Sequence, residues 1–339
     1  MSEASERWLI ALAIAIATGL FVALALKPLV AWLKRRAVWD IPNERSSHSD
    51  ITPRGGGIAV TGGMLFGSVV WLVLYPDPGL PIVLLGMMAL AVVSWLDDRR
   101  GGLPVGLRLG VQVLAVSLVL ALLPADNAIT GGIVPAWLER VALFLAWIWF
   151  TNLFNFMDGI NGITGVEMMA IGVGCTLVGV AQHAGNVSAP GLIVAAAGFG
   201  FLWWNWGQAK VFLGDVGSVP AGYLLGALLL ALVLSGAWAP ALILPMYYWM
   251  DATITLLRRL LRGEKIWQPH RSHFYQQGAR KLGSHAAVSL RIAGLNVILV
   301  GLALASLHSW PAALASLAAA ALASAALCRH FAGSPKPLG

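Results

Sequence analysis

Eleven stretches of this chain stay apolar for as long as a helix needs to cross a bilayer, and no water-soluble fold can bury that many. They fall at roughly 8–33, 57–75, 80–96, 105–124, 138–155, 161–181, 188–206, 216–236, 238–257, 287–306 and 310–330. In lipid the backbone must satisfy its own hydrogen bonds, so each run is read as a helix. Charge supports this: 11% of the 339 residues are charged, against about 25% in a soluble domain. The expected fold class is therefore all-α, one polytopic membrane domain over 1–339 with about 11 transmembrane helices. The first run is no cleavable signal, because Glu3 and Glu6 precede it and it is too long. Cys175 and Cys328 lie in apolar runs without a ligand-like partner and read as small buried hydrophobes.

Where the charges sit decides between two uses of the formal +7. One alternating set of loops carries Lys34, Arg35, Arg36, Arg45, Arg54, Arg99, Arg100, Arg108, Lys210, Arg258, Arg259, Arg262, Lys265, Arg271, Arg280, Lys281 and Arg291. The opposite set holds little beyond Arg7 and Arg140. Such asymmetry is a topology signal rather than a nucleic-acid surface, so no nucleic-acid partner is expected. It places the N-terminus in the periplasm and the C-terminus in the cytoplasm.

Topology needs only the bases on that face, yet most acids are there too: Asp40, Glu44, Asp50, Asp97, Asp98, Asp158, Asp215 and Glu264. Acids beside a bilayer are costly unless paired, solvated or coordinating a metal. Converging carboxylates without cysteine suit a hard cation, Mg²⁺ or else Mn²⁺.

The chemistry-bearing segments are the cytoplasmic loops at 34–57, 97–104, 152–162, 205–218 and 258–286. The first contains His48 and Thr52-Pro53-Arg54-Gly55-Gly56-Gly57, a glycine run entering a helix whose exposed N–H groups would suit phosphate. The second opens with Asp97-Asp98, adjacent carboxylates whose repulsion a cation or proton must relieve. In the third, Asn152, Asn155 and Asp158 recur every three residues, so a helix would stack them on one face. The fourth runs from Asn205 through Lys210, a point charge suited to phosphate, to Gly214-Asp215-Val216-Gly217-Ser218, where Asp215 is the leading metal ligand. In the fifth, Arg271 and His273 could clamp a diphosphate. Glu167 lies deeper, where a helix–helix hydrogen bond as a protonated acid and a catalytic role are both open.

In family order, these segments resemble the polyprenyl-phosphate N-acetylhexosamine-1-phosphate transferases of the WecA and MraY type (glycosyltransferase family 4). The Pro245 to His273 stretch is similar to the branch that initiates O-antigen. Two positions depart: Asn161 stands where the family often has a second aspartate, and Phe274-Tyr275-Gln276 follow His273 where it often has clustered histidines. The resemblance implies transfer of an N-acetyl amino sugar 1-phosphate from a UDP-sugar to undecaprenyl phosphate at the cytoplasmic surface, with release of UMP. It implies catalytic roles for Asp97, Asp98, Asp158 and Asp215, with Mg²⁺ on Asp215 and Asp97. His48, Arg54, Asn152, Asn155, Asn205, Lys210, Arg271 and His273 would contact substrate, and homodimers occur in the family. The alternative from another class is a transporter or flippase of an anionic lipid or nucleotide. Those place ionisable groups near the midplane and often carry repeats, which this chain lacks.

Overall fold

The computed structural model describes residues 3–42, 50–100, 102–124, 129–265 and 270–333. The described residues are helical apart from loops and one small two-stranded ribbon. In order they form α1 (Glu3–Arg35), β1 (Trp39–Asp40), β2 (Thr52–Pro53), α2 (Gly57–Leu74), α3 (Leu80–Arg100), α4 (Val105–Ala121) and α5 (Ala136–Phe156). There follow α6 (Ile163–Ala181), α7 (Gly185–Asn205), α8 (Asp215–Leu234), α9 (Trp238–Ile243), α10 (Met246–Leu261), α11 (Phe274–Leu282), α12 (His285–Ala305) and α13 (Trp310–Phe331). Among the described residues, eight of them (α1, α2, α3, α6, α7, α8, α12 and α13) are long and apolar enough to cross a membrane. The protein is thus an all-α, multi-pass membrane protein. Each apolar run of the sequence contains helix, with one difference. The 238–257 run is broken at Leu244-Pro245 into α9 and α10, because proline supplies no N–H to continue the ladder.

The helices pack around α8. Of its apolar window 83% is buried, against 28% for α13, so α8 is central and α13 peripheral. Lipid gives helices little hydrophobic reason to associate, and polar tethers between them carry more of the specificity. Trp147 Nε1 of α5 donates to Tyr223 O of α8 at 3.0 Å, their rings stacked 5.0 Å apart. Trp204 Nε1 of α7 donates to Ala23 O of α1 at 2.9 Å, and Asn296 Nδ2 of α12 to Glu167 Oε2 of α6 at 2.8 Å.

Chain alternation brings the C-terminal ends of α1, α3, α5, α7 and α10 together with the N-terminal ends of α2, α4, α6, α8 and α12. This end of the bundle holds the acid- and base-rich loops. Here β1 pairs antiparallel with β2, Trp39 opposite Pro53 and Asp40 opposite Thr52. The chain after β2 then runs beside Phe212 in a parallel bridge at Arg54.

Candidate active site

Three backbone hydrogen bonds build the floor of the polar end. Gly55 N and Gly56 N donate to Phe212 O at 3.1 and 2.9 Å, and Gly57 N donates to Leu213 O at 2.8 Å. The glycine run therefore spends its N–H groups on a neighbouring loop, which corrects the expectation that they wait for phosphate. Glycine is needed for closeness instead: a Cβ on Gly57 would sit 2.2 Å from Gly217 N. That contact seats the start of α2 on the start of α8, and Thr61 Oγ1 adds a 2.9 Å bond to Val216 O.

On this floor lies a cluster of carboxylates and guanidinium groups from four elements. Arg54, leaving β2, places one nitrogen, Nη2, 2.9 Å from Asp98 Oδ1 and 2.8 Å from Asp215 Oδ1. Arg108, in the first turn of α4, places Nη1 2.8 Å from Asp97 Oδ2 and 3.7 Å from Asp215 Oδ2. Asp215 is thus flanked by both arginines. Asp98 Oδ2 also accepts Val216 N at 3.2 Å, capping the positive end of α8 from another helix. Gly214 permits this approach: it has φ 74°, and a Cβ there would lie 2.9 Å from Asp98 Oδ2. Asp97 closes the α3–α4 turn, its Oδ1 accepting Leu103 N and its carbonyl accepting Gly102 N.

The three acids differ in openness. The Asp98 and Asp97 side chains are 3% and 9% exposed, Asp215 is 18%, and Arg54 and Arg108 are 37% and 36%. Burial disfavours charge on Arg54, but Asp98, Asp215, Asp40 and Asp158 outweigh it and raise its pKa above the ordinary value. Among the described residues no three acidic, histidine or cysteine groups form a ready-made metal cage. Magnesium does not require one, since it keeps several waters and usually takes one or two carboxylates plus substrate phosphates. The oxygen-only donors of Asp215, with Asp97 and Asp98 around it, fit that mode.

Asp158 adjoins the cluster from the α5–α6 loop. α5 ends at Phe156, so Asp158 lies beyond the helix and the expected single stripe of three polar residues is not formed. Asn152 Nδ2 donates to Gln112 Oε1 of α4 at 2.8 Å, and Asn155 Oδ1 accepts Ser218 Oγ of α8 at 2.6 Å. Asp158 Oδ1 accepts the hydroxyl of Thr164. Burial pushes the Asp158 carboxyl up to about 6, with Thr164 and Arg54 opposing and Asp215 adding to the rise.

Other residues singled out in the sequence have different surroundings. Asn205 is 5% exposed and occupied on both sides, its Oδ1 accepting Gly162 N at 2.7 Å and its Nδ2 donating to Val211 O at 2.9 Å. This holds the α5–α6 and α7–α8 loops together, as does Asn161 Nδ2 on Gly207 O at 2.6 Å. Lys210 is exposed, with Nζ 5.5 Å from the centre of the Trp204 ring. Arg271 is exposed, and its carbonyl accepts Arg280 Nη1 at 3.0 Å. His273 is 2% exposed and serves as N-cap of α11, its Nδ1 3.1 Å from Asp251 Oδ1. That arrangement gives His273 an architectural duty, against the expectation of a diphosphate ligand. His48 lies outside the described residues.

Residues 80–233 match the family model described as Glycosyl transferase family 4. Over those residues, less than half of its length, the chain is similar to that family. The chain is also 27% identical over 283 residues, 79% of its length and 77% of the relative's, to a Bacillus subtilis (strain 168) protein. That protein is named "Probable undecaprenyl-phosphate N-acetylglucosaminyl 1-phosphate transferase". The family stretch begins with α3 and ends in α8, so it contains Asp97, Asp98, Arg108, Asp158 and Asp215. Arg54, which bridges two of these acids, comes from outside it.

Sequence reasoning missed two members of this site. Arg108 was counted among the topology signals, although it shares one face of α4 with Gln112, a polar pair one turn apart in an apolar helix. Thr164 gave no signal, because a threonine in the first turn of a helix is ordinary.

Proposed function

We propose that the chain transfers an N-acetyl amino sugar 1-phosphate from a UDP-sugar to undecaprenyl phosphate in the bacterial inner membrane, as the first step of O-antigen and lipopolysaccharide synthesis. The observation that carries this reading is Arg54 held between Asp98 and Asp215, with Asp97 and Arg108 beside them, at the helix ends where lipid meets water. The family match and the relative's name support the same reaction class. α9 and α10 count as one interrupted crossing and α4 and α5 as crossings, so the path has eleven. The N-terminus is then periplasmic, and the polar end and C-terminus are cytoplasmic.

An oxygen of the lipid phosphate forms a bond to the sugar-bearing β-phosphorus of the UDP-sugar. The bond from that phosphorus to the bridging oxygen breaks, and UMP leaves with the electron pair. Two anions must meet, so the task is positioning and charge neutralisation. Asp215, with Asp97 beside it, would hold Mg²⁺, which would supply Lewis-acid neutralisation of the diphosphate. Arg54 and Arg108 draw the phosphates to the open side of the cluster. Asp98 orients the lipid phosphate and accepts its remaining proton; with a second phosphate pKa of about 6, little base strength is needed. Asp158 and Lys210 flank the nucleotide diphosphate, and Arg271 lies toward the sugar. Asn152, Asn155 and Asn205 set the walls through Gln112, Ser218, Gly162 and Val211.

The test is purified protein with undecaprenyl phosphate, Mg²⁺ and a panel of UDP-N-acetyl amino sugars, UDP-GlcNAc and 6-deoxy sugars included, scored for UMP release. UMP with one member of the panel and lipid-dependent turnover is the expected result. No UMP with any sugar overturns the proposal.

A further inference from the structure

Threonine hydroxyls inside helices usually bond back to the carbonyl one turn earlier. Thr151 does so on Trp147 O and Thr176 on Gly172 O, at 2.9 and 2.8 Å. Thr164 does not. It lies in the first turn of α6, is 1% exposed, and its hydroxyl reaches out of the helix to Asp158 Oδ1.

The surroundings hold this hydroxyl in place. Gly162 N is bonded to Asn205 Oδ1, and Asn161 O accepts Ser289 Oγ of α12 at 2.8 Å, so the chain entering α6 is tied to two other elements. One turn after Thr164, Glu167 is bonded to Asn296 of α12. Asp158 itself belongs to a loop fixed from the other side. Tyr275 OH of α11 donates to Phe156 O at 3.0 Å, and a Cβ on Gly159 would lie 2.2 Å from that hydroxyl oxygen. Both partners are therefore clamped, and the bond between them sets the rotation of the Asp158 carboxylate.

We propose that Thr164 is a positioning residue of the transferase site: its hydroxyl fixes Asp158 Oδ1 and so aims Oδ2 at the bound substrate. This rests on the reading of Asp158 as a working carboxylate of that site. The charges that reach Asp158 are Arg54, from the loop before α2, and Asp215 of α8, and the neutral phenols of Tyr248 (α10) and Tyr275 (α11) face it. Tyr248 also meets the Thr164 hydroxyl, so its surroundings change in Thr164→Val and are kept in Thr164→Ser.

The experiment compares Thr164→Val, which keeps shape and removes the donor, with Thr164→Ser, which keeps the donor. Both are made in the full chain, assayed as UMP release from UDP-GlcNAc (or whichever UDP-sugar the panel selects) and expressed per folded molecule. Loss of one hydrogen bond to a charged group corresponds to about a 10- to 100-fold fall in kcat/KM for the valine variant. Its acid limb is expected to move above pH 6, since the hydroxyl bond holds the Asp158 carboxyl down. Thr164→Ser restores both. If the valine variant does not fold, Thr164→Ala takes its place with the same expectation. Wild-type kcat/KM and an unmoved acid limb in Thr164→Val, while Asp158→Asn is inactive, overturn the role of Thr164 alone. An active Asp158→Asn overturns it together with the reading of the site on which it rests.

Discussion

Asp251 and Asp215 are both aspartates set on apolar helices near basic residues, and their surroundings could hardly differ more. Asp251 of α10 is 0% exposed and accepts from Phe274 N, Tyr275 N and Tyr247 OH at 2.9, 2.9 and 3.0 Å, with His273 Nδ1 at 3.1 Å. Its two oxygens are saturated, and together they dock the start of α11 onto α10. Asp215 shares two guanidinium groups with Asp97 and Asp98, so acids outnumber bases, and the group is partly open. A buried charge with a full set of donors stabilises architecture and has nothing left to offer a ligand. A cluster with surplus negative charge at the membrane edge still has demand for a cation and its phosphates. The sequence alone presents the two regions alike.

That contrast can be broken or sharpened by substitution. Asp98→Asn should have the largest effect on turnover, about 10²- to 10⁴-fold, the usual worth of an acid–base group, with the melting temperature little changed. Asp251→Ala should do the opposite. Removing one side of a buried pair costs about 3–5 kcal/mol, so the melting temperature falls and the residual activity follows the folded fraction. If Asp251→Ala folded normally yet lost all turnover, the division between the two regions would fail. Arg54→Met should come next, with about a 10- to 100-fold loss of kcat/KM, because one charge-assisted contact to each of two acids disappears. A smaller effect is the dependence on pH. Burial pushes the Asp158 carboxyl up to about 6 and Asp98 up to about 7, so both charged forms are lost as pH falls, and kcat/KM at pH 5 should be less than about a tenth of that at pH 7. Asp158→Asn should remove its share of this acid limb, leaving that of Asp98, along with most of the activity.

Much of the fold was legible because lipid sets a length and forbids unpaired backbone, so apolar runs map onto helices within a few residues. Pro245 marked the break in the 238–257 run, yet apolarity on both sides hid it. α11 was invisible for another reason: nine residues with an amphipathic pattern form a helix only because Asp251 and His273 cap them. In the site, Asp97, Asp98, Asp158 and Asp215 were legible as acids that topology did not require. Their partners were less so. Arg108 looked like any cytoplasmic arginine, and the Gly55-Gly56-Gly57 amides looked free because the carbonyls of Phe212 and Leu213 that receive them lie more than 150 residues along the chain. Asn152 and Asn155 kept their spacing on α5, but one turns to α4 and the other to α8.

Binding of Mn²⁺ to the wild-type protein, Asp215→Asn and Asp251→Asn, followed by electron paramagnetic resonance in the presence of UDP-sugar, tests most directly which carboxylates are short of a cation. The expected result is a bound ion in the wild type and in folded Asp251→Asn, and affinity at least about tenfold weaker in Asp215→Asn. Wild-type affinity in Asp215→Asn, or loss confined to Asp251→Asn, would contradict the assignment of the open cluster as the reacting centre.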